Sequence, residues 1–332
     1  MVDVVSEPDP RGRAHEVTSI PADVIESKRF IERLLVQPGK SISLHKDFDP
    51  RYTPEDLTRE AATLLLQQDI ERLRAFQDRF WAQKTHALLI VLQAMDAAGK
   101  DSVIKHVMSG MNPQGCQVWN FKEPSLEEIQ HDYLWRSSKL LPPRGMIGIF
   151  NRSYYEEVLV VRVHPELLHG EGLAEPSISD GMWRRRFHEI NAYEHYLVDN
   201  GVAILKFFLY VSKDEQKRRF LERIHRPDKN WKFSASDARE RGYWDHYMHA
   251  YEEMLSHTST HDAPWYVVPA DHKWFTRLGV AAVVATKLEE LNPSYPMVTD
   301  QQHRELALAE QLLQAETSAT NPTEVVDTEP HH

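Results

Sequence analysis

Short, nearly continuous apolar runs recur along the chain, and each is followed by a stretch with helical spacing. The runs are Ala87–Gln93, Cys116–Phe121, Met146–Phe150, Ala203–Val211 and Trp265–Pro269. Runs continuous in Val, Ile, Leu and Phe, rather than alternating with polar residues, suit strands covered on both faces. Strand then helix, repeated, predicts an α/β fold with a parallel central sheet and right-handed crossovers. Ahead of the first run, Leu64, Leu65, Ile70, Leu73 and Phe76 recur at three- and four-residue spacing. They predict a helix over Pro54–Lys84, opened by the cap-like Thr53-Pro54-Glu55-Asp56. A second long helix is expected from about Ser234 to His257. Residues 1–29 read as a loose polar leader, residues 30–297 as the folded domain, and residues 298–332 as a tail. The tail should begin helical and lose order beyond about residue 316, because its composition cannot bury a core.

Composition narrows the function. The chain has 332 residues and a net charge of −11, which argues against a protein built to coat nucleic acid. The single cysteine, Cys116, allows no intramolecular disulfide and reads as a buried structural thiol. The N-terminus lacks a basic start followed by an apolar stretch, and no run is long enough to span a membrane. A cytoplasmic protein without nucleic-acid or membrane partners is expected. The pairs His246/His249 and His257/His261 have no cysteine cluster or His-Glu-x-x-His beside them, so a structural zinc is not expected.

The first chemical signal follows the first strand, at Ala94-Met95-Asp96-Ala97-Ala98-Gly99-Lys100-Asp101-Ser102. A tight loop runs into Gly-Lys at a helix start, where backbone N–H groups and the helix N-terminus can wrap a phosphate. Gly99 permits close backbone approach, and Lys100 supplies a full charge on a flexible stem. The usual pattern has Gly where this chain has Ala94, and Ser or Thr where it has Asp101. On the pattern alone, an incidental strand-to-helix turn remains open. Asp96 weighs against it: a carboxylate inside such a loop would repel phosphate unless it held Mg²⁺ or positioned an incoming oxygen. The plainer alternative for Asp96 is a turn-stabilising bond to its own backbone.

A second strand-to-helix junction carries Asn151-Arg152-Ser153-Tyr154-Tyr155-Glu156-Glu157. In nucleotide kinases built on such a loop, the corresponding strand often ends near an acidic residue that serves the metal. Asn151 is a neutral and weaker ligand. Arg152 is placed to neutralise a transferring phosphate. Tyr154 and Tyr155 read as packing with a role at the rim. Glu156 and Glu157 either face solvent or supply the missing carboxylate. Residues 213–232 then hold eight Lys/Arg against four Asp/Glu in an otherwise acidic chain. They form either a solvated helix with internal ion pairs or a cationic lid over a polyanion. Arg184-Arg185-Arg186 is a second basic cluster.

These segments together resemble the polyphosphate kinase 2 family. The resemblance rests on Met95-Asp-Ala-Ala-Gly-Lys100, Phe121-Lys-Glu-Pro-Ser, His131-Asp-Tyr-Leu-Trp-Arg136 and Phe150-Asn-Arg-Ser-Tyr-Tyr-Glu156. It continues in Trp231-Lys-Phe-Ser and Ala263-Pro-Trp-Tyr-Val-Val-Pro-Ala-Asp271, spanning about residues 30–292. It implies a P-loop kinase-like three-layer fold with a helical lid at about 213–257. The implied activity is Mg²⁺-dependent, reversible transfer of the terminal phosphate of inorganic polyphosphate to adenine or guanine nucleotides, usually by a homo-oligomer. Carried over by motif, Asp96, Lys100, Asn151, Arg152 and Glu156 would be catalytic, with Asp96 and Asn151 serving the metal. Ala97, Ala98, Gly99, Lys122, Arg136, Arg162, Arg218, Arg219, Arg223, Lys229 and Lys232 would bind substrate. Asn151 with Glu156 resembles the subgroup that accepts both nucleoside mono- and diphosphates, so AMP and ADP are both expected acceptors. An ATP-dependent nucleotide kinase and a non-catalytic polyphosphate-binding regulator are the rival readings.

Overall fold

The computed structural model describes residues 29–171 and 181–319. Five strands are formed: β1 (Ala87–Gln93), β2 (Cys116–Asn120), β3 (Ile147–Asn151), β4 (Val202–Tyr210) and β5 (Trp265–Pro269). All neighbours pair in parallel, in the spatial order β2-β3-β1-β4-β5. The principal helices are α1 (Arg59–Gln83), α2 (Lys100–Val107), α3 (Met182–Asp199), α4 (Lys213–His225), α5 (Ala235–Glu240), α6 (Trp244–Thr258), α7 (Lys273–Glu290) and α8 (Asp300–Ala319).

From β1 the chain steps outward to β2, and from β3 it steps past β1 in the opposite direction to β4. Right-handed crossovers therefore put α2 and α3 on opposite faces of the sheet. Helices α1, α2 and α7 pack together, as do α3 and α6, and these groups are the outer two of three layers. Adjacent strands whose exits diverge leave a crevice at their C-terminal ends, and here those strands are β1 and β3. Their register pairs Leu92 with Asn151, so the two loops that carry the candidate chemistry start side by side.

Strands β1 and β3 are buried along their whole length, as their continuous apolar character requires. Strand β2 departs from the expectation of cover on both faces: it is an edge strand, and Val118 and Trp119 are exposed. Strand β4 carries a charge through the core. Lys206 Nζ donates to Glu194 Oε2 (2.5 Å), Tyr155 Oη (2.9 Å) and the Thr258 carbonyl (2.7 Å). Tyr154 and Tyr155 both donate to Glu194 Oε1 at 2.8 Å. All three ammonium protons thus have partners, which is what makes a buried ion pair tolerable. The network binds β4, α3 and the end of α6 to the segment that follows β3.

Two helix expectations shift. Helix α1 begins at Arg59, with Thr58 Oγ1 accepting from the Ala61 amide (3.2 Å); Thr53 does not cap it. The single helix expected over Ser234–His257 is broken into α5, a 3-10 turn at Arg241–Tyr243 and α6, with Gly242 at the break. The chain divides into two units between Pro293 and Ser294. In the second, α8 runs to Ala319 and exposes Leu306, Leu308 and Leu312. Residues 320–332, most of the tail expected to lack order, lie outside the described residues, as does the leader through residue 28.

Candidate active site

Strand β1 ends at Gln93, and the chain turns through residues 94–99 before α2 opens on Lys100. The turn needs two left-handed residues: Gly99 at φ 120° and Ala97 at φ 61°. Glycine takes this conformation freely; for Ala97 it costs roughly 1 kcal/mol, which the surrounding contacts must offset. Lys100 folds back so that Nζ donates to the Ala94 carbonyl at 2.8 Å. Burial pushes its pKa down to about 8; Arg152 adds to the fall, while Asp96, Glu156 and Asp101 oppose it. The ammonium is held where it lacks solvation, which suits a group awaiting an anion.

At the end of β3 the backbone turns left-handed again, at Arg152 (φ 65°), whose amide donates to the Leu92 carbonyl (3.0 Å). The side chain reaches the first loop: Nη2 lies 2.7 Å from Asp96 Oδ1, and Nη1 lies 3.6 Å from Glu156 Oε2. Glu156, and after it Asp96, hold the guanidinium well above its ordinary pKa against the effect of burial. Asp96, Lys100, Asn151, Arg152 and Glu156 are thus brought to one place from two adjacent strand ends. Glu157, next in sequence, is instead paired with the buried Arg186 (3.1 Å). Tyr154 and Tyr155 are fully buried in the Glu194 network and take no part in a rim.

Asn151 bears on the metal. Its Nδ2 donates to Asp101 Oδ1 (3.0 Å) and Asn120 Oδ1 (2.7 Å), and the Asp101 carboxylate fixes which way the amide points. Its Oδ1 is then buried with no partner, an unusual cost for a polar atom. An oxygen left so beside a carboxylate-bearing loop fits a hard cation. Among the described residues no group of three or more His, Cys, Asp or Glu is placed to hold a metal. Mg²⁺ is a hard cation that keeps several waters and takes substrate phosphates, so it needs few protein oxygens.

The basic segment is less open than its charge count implied. Arg219 is 5 % exposed and does not face a lid cavity. It donates to the carbonyls of Ala97 (3.0 Å), Ala98 (2.7 Å), Ala270 (2.5 Å) and Asp271 (3.1 Å), and to Glu215 Oε1 (2.7 Å). The residue expected to bind substrate thus spends its five N–H groups on the backbone of Ala97, Ala98, Ala270 and Asp271 and on Glu215. Gln216, which the sequence reading passed over, also reaches the loop, donating to the Asp96 carbonyl (2.9 Å) and accepting from Arg241. Arg218 forms a two-pronged pair with Glu215 (2.6 and 2.7 Å), which pulls that carboxyl down to about 2. Lys229 pairs with Glu222 (3.2 Å), and Arg223 stands 4.0 Å from Asp237. Lys232 belongs to a 3-10 turn, Asn230–Lys232, and its side chain lies outside the described residues. The solvated, ion-paired helix thus describes Arg218 and Lys229 well, while Arg223 stays half-buried near the loops.

A cleft of about 940 Å³ opens from Arg152 and Glu156 toward Phe121, Lys122, Arg136 and Arg185. Arg136 is buried, donates to the Lys122 carbonyl (2.9 Å) and places its guanidinium 5.3 Å from the Phe121 ring centre. Of the basic cluster 184–186, Arg185 and Arg186 line this cleft. Arg162 does not line it; it pairs with Glu253 and lies 5.7 Å from the Trp183 ring centre. A phosphate-wrapping loop, two exchangeable ion-pair partners and an adjoining cleft of nucleotide size can move a phosphoryl group onto an acceptor anion.

The model of the family described as Polyphosphate kinase 2 matches residues 56–296. An ADP-polyphosphate phosphotransferase of Rhodopseudomonas palustris is 50 % identical over 293 residues, covering 87 % of this chain and 99 % of that protein. An AMP/ADP-polyphosphate phosphotransferase of Meiothermus ruber is 41 % identical over 267 residues, covering 80 % and 96 %. The crystal structure of polyphosphate kinase 2 from Arthrobacter aurescens superposes with a TM-score of 0.76 at 38 % identity, covering 83 % and 95 %.

Proposed function

This chain belongs to the polyphosphate kinase 2 family and phosphorylates nucleotides from polyphosphate, and we propose how its residues divide that work. Lys100 and the loop over residues 94–99 hold the terminal phosphate of the donor. Arg152 exchanges its Asp96 partner for the transferring group and stabilises the charge that develops there. The acceptor nucleotide lies in the cleft reached through Phe121, Lys122 and Arg136, with its terminal phosphate at Arg152. A bond forms between an acceptor phosphate oxygen and the terminal phosphorus; the bridging P–O bond breaks, and the shortened polyphosphate leaves with the electron pair. Asp96 and Asn151 would hold Mg²⁺, which would supply charge neutralisation and alignment of the phosphates. The single observation behind this division is the convergence of Asp96, Lys100 and Arg152 on paired strand ends at the mouth of the cleft.

We extend the acceptor range to AMP as well as ADP. Both nucleotides appear in the name of the Meiothermus ruber relative, and ADP alone in that of the Rhodopseudomonas palustris relative. The neutral Asn151 and the nearby Glu156 support the wider range, since a softer metal environment accommodates two acceptor positions against one donor. Adenine and guanine bases, a homo-oligomer and a cytoplasmic setting complete the reading, on the family likeness alone. Incubation of the protein with Mg²⁺, long-chain polyphosphate and ADP, without ATP, should yield ATP. Substituting AMP should yield ADP and then ATP. Failure with ADP overturns the reading; failure with AMP alone overturns only the acceptor range.

A further inference from the structure

Four tyrosines are buried among the described residues: Tyr154, Tyr155, Tyr247 and Tyr251. A buried phenol ordinarily finds a partner for its hydroxyl, and three of these do. Tyr154 and Tyr155 donate to Glu194 Oε1, and Tyr247 donates to Glu240 Oε2 at 2.8 Å. Tyr251 is 3 % exposed, and its hydroxyl makes no hydrogen bond among the described residues. It is a donor buried on α6 that neither the packing nor the roles assigned so far make use of.

The ring is fixed at the end of the sheet that carries the site. It stacks on Phe208 of β4, with centroids 4.2 Å apart and planes inclined by 27°. Phe208 pairs with Gln93, the last residue of β1 before the phosphate loop. The hydroxyl also lies close enough to the paired strand ends to feel their charges. Burial and then Glu156 hold the phenol well above its ordinary pKa; Tyr247 and Asp96 add to the rise, and Arg152 opposes it. The influence is mutual, since Tyr251 is one of the groups acting on Arg152. The phenol therefore keeps its proton and stands as a neutral donor beside Asp96, Arg152 and Glu156.

A donor needed only for stability had a ready solution: Tyr247, one turn earlier on the same helix, takes a carboxylate. Leaving the Tyr251 hydroxyl unbonded and buried costs stability, and an acceptor arriving between the two loops removes that cost. Phosphoryl oxygens are such acceptors, and they are the atoms on which charge spreads during transfer. We propose that Tyr251 is a further catalytic residue, its hydroxyl donating a hydrogen bond to a non-bridging oxygen of the phosphoryl group as that group passes from donor to acceptor. The assignment rests on the division of work given above for Asp96, Lys100 and Arg152. Lys100 and Arg152 bring charge to the transferring group, and Tyr251 adds a directed donor without charge. No proton moves to or from the phenol, so the bonds made and broken are the two already described.

The test is Tyr251→Phe, which keeps the ring on Phe208 and removes one oxygen. The hydroxyl holds nothing in the unliganded fold, so the urea midpoint should stay in place or rise slightly. With Mg²⁺, long-chain polyphosphate and ADP, kcat should fall about ten- to a hundred-fold, the scale of one donor lost from a transition state. KM for either substrate should move less than about two-fold, because a bond made only in transit leaves ground-state binding alone. Tyr247→Phe is the comparison: it loses the bond to Glu240, so it should lower the urea midpoint and cost less of kcat. A kcat for Tyr251→Phe within about two-fold of wild type, a loss of kcat accompanied by a lower midpoint, or a raised KM with kcat unchanged overturns the proposal. Equal losses of kcat in the two variants overturn it as well. A wild-type enzyme that makes no ATP from polyphosphate and ADP overturns instead the division of work beneath it.

Discussion

Replacing Lys100 by methionine should stabilise the protein while abolishing its activity. The folded protein lowers the lysine pKa from 10.5 to about 8. At about 1.4 kcal/mol per pKa unit, keeping the ammonium charged at neutral pH costs the fold about 3 kcal/mol. Methionine has a similar length and no charge, so it removes that cost. It also removes the hydrogen bond to the Ala94 carbonyl, worth about 1 kcal/mol. Water reaching the half-buried side chain trims the first figure, so the net gain at pH 7 should be about 1 to 2 kcal/mol. The sign of the pH dependence follows from the depressed pKa. Between about pH 8 and 10.5 the unfolded lysine binds more protons than the folded one, so wild-type stability rises with pH across that window. Below pH 8 the whole penalty is present, and the advantage of Lys100→Met should shrink as pH climbs from 8 toward 10.5. Urea denaturation of both proteins at several pH values measures the gap. Turnover of ADP with polyphosphate should fall by about 10²-fold or more, because the charge acts on the transition state. A variant less stable than wild type at pH 7, a gap flat with pH, or near-normal kcat would each refute this account of Lys100.

Arg219→Gln strips the loop carbonyls of Ala97 and Ala98 of their donor and leaves Glu215 with one fewer cation; it should cost about 3 kcal/mol in urea denaturation and lower kcat more than it raises polyphosphate KM. Arg223→Gln should leave stability within about 0.5 kcal/mol yet raise polyphosphate KM in steady-state assays. Lys206→Met isolates the Glu194 charge in the core and should cost about 3–5 kcal/mol, part of which a second change, Glu194→Gln, restores. Asn151→Asp sets a second carboxylate beside Asp101 and should depress the AMP reaction more than the ADP reaction, read as the ratio of the two kcat/KM values; equal losses would mean that position 151 does not set acceptor range.

The sheet was legible because burial on both faces leaves a direct mark on sequence. Runs such as Ala87–Gln93 and Trp265–Pro269 could hardly be anything else, and their bounds match the strands. Asp96, Lys100, Asn151, Arg152 and Glu156 stood out at two strand-to-helix junctions and in the family resemblance, and the structure brings them to adjacent strand ends. Charge counting worked less well. The excess of Lys and Arg over residues 213–232 is real, but counting cannot tell Arg219, turned inward onto four carbonyls, from Arg223, which stays near the loops. The spacing of Glu215 before Arg218 and Arg219 was the available warning, since residues three and four apart on a helix meet. The cap expected at Thr53 lies five residues further on, at Thr58, whose Oγ1 accepts from the Ala61 amide. The Lys206–Glu194 pair had no local signature, because its partners come from separate segments of the chain.

The grip of Arg219 has a mechanical consequence. One guanidinium holds the phosphate loop, the end of β5 and, through Glu215, the first turn of α4. Those parts are tied to one another, so a shift of α4 is passed directly to Ala97 and Ala98. Past the last turn of α4, Arg226 is held only by surface pairs to Glu222 and Asp228 that salt screens readily. Added salt should therefore loosen that end of the helix before it loosens the grip on Ala97 and Ala98.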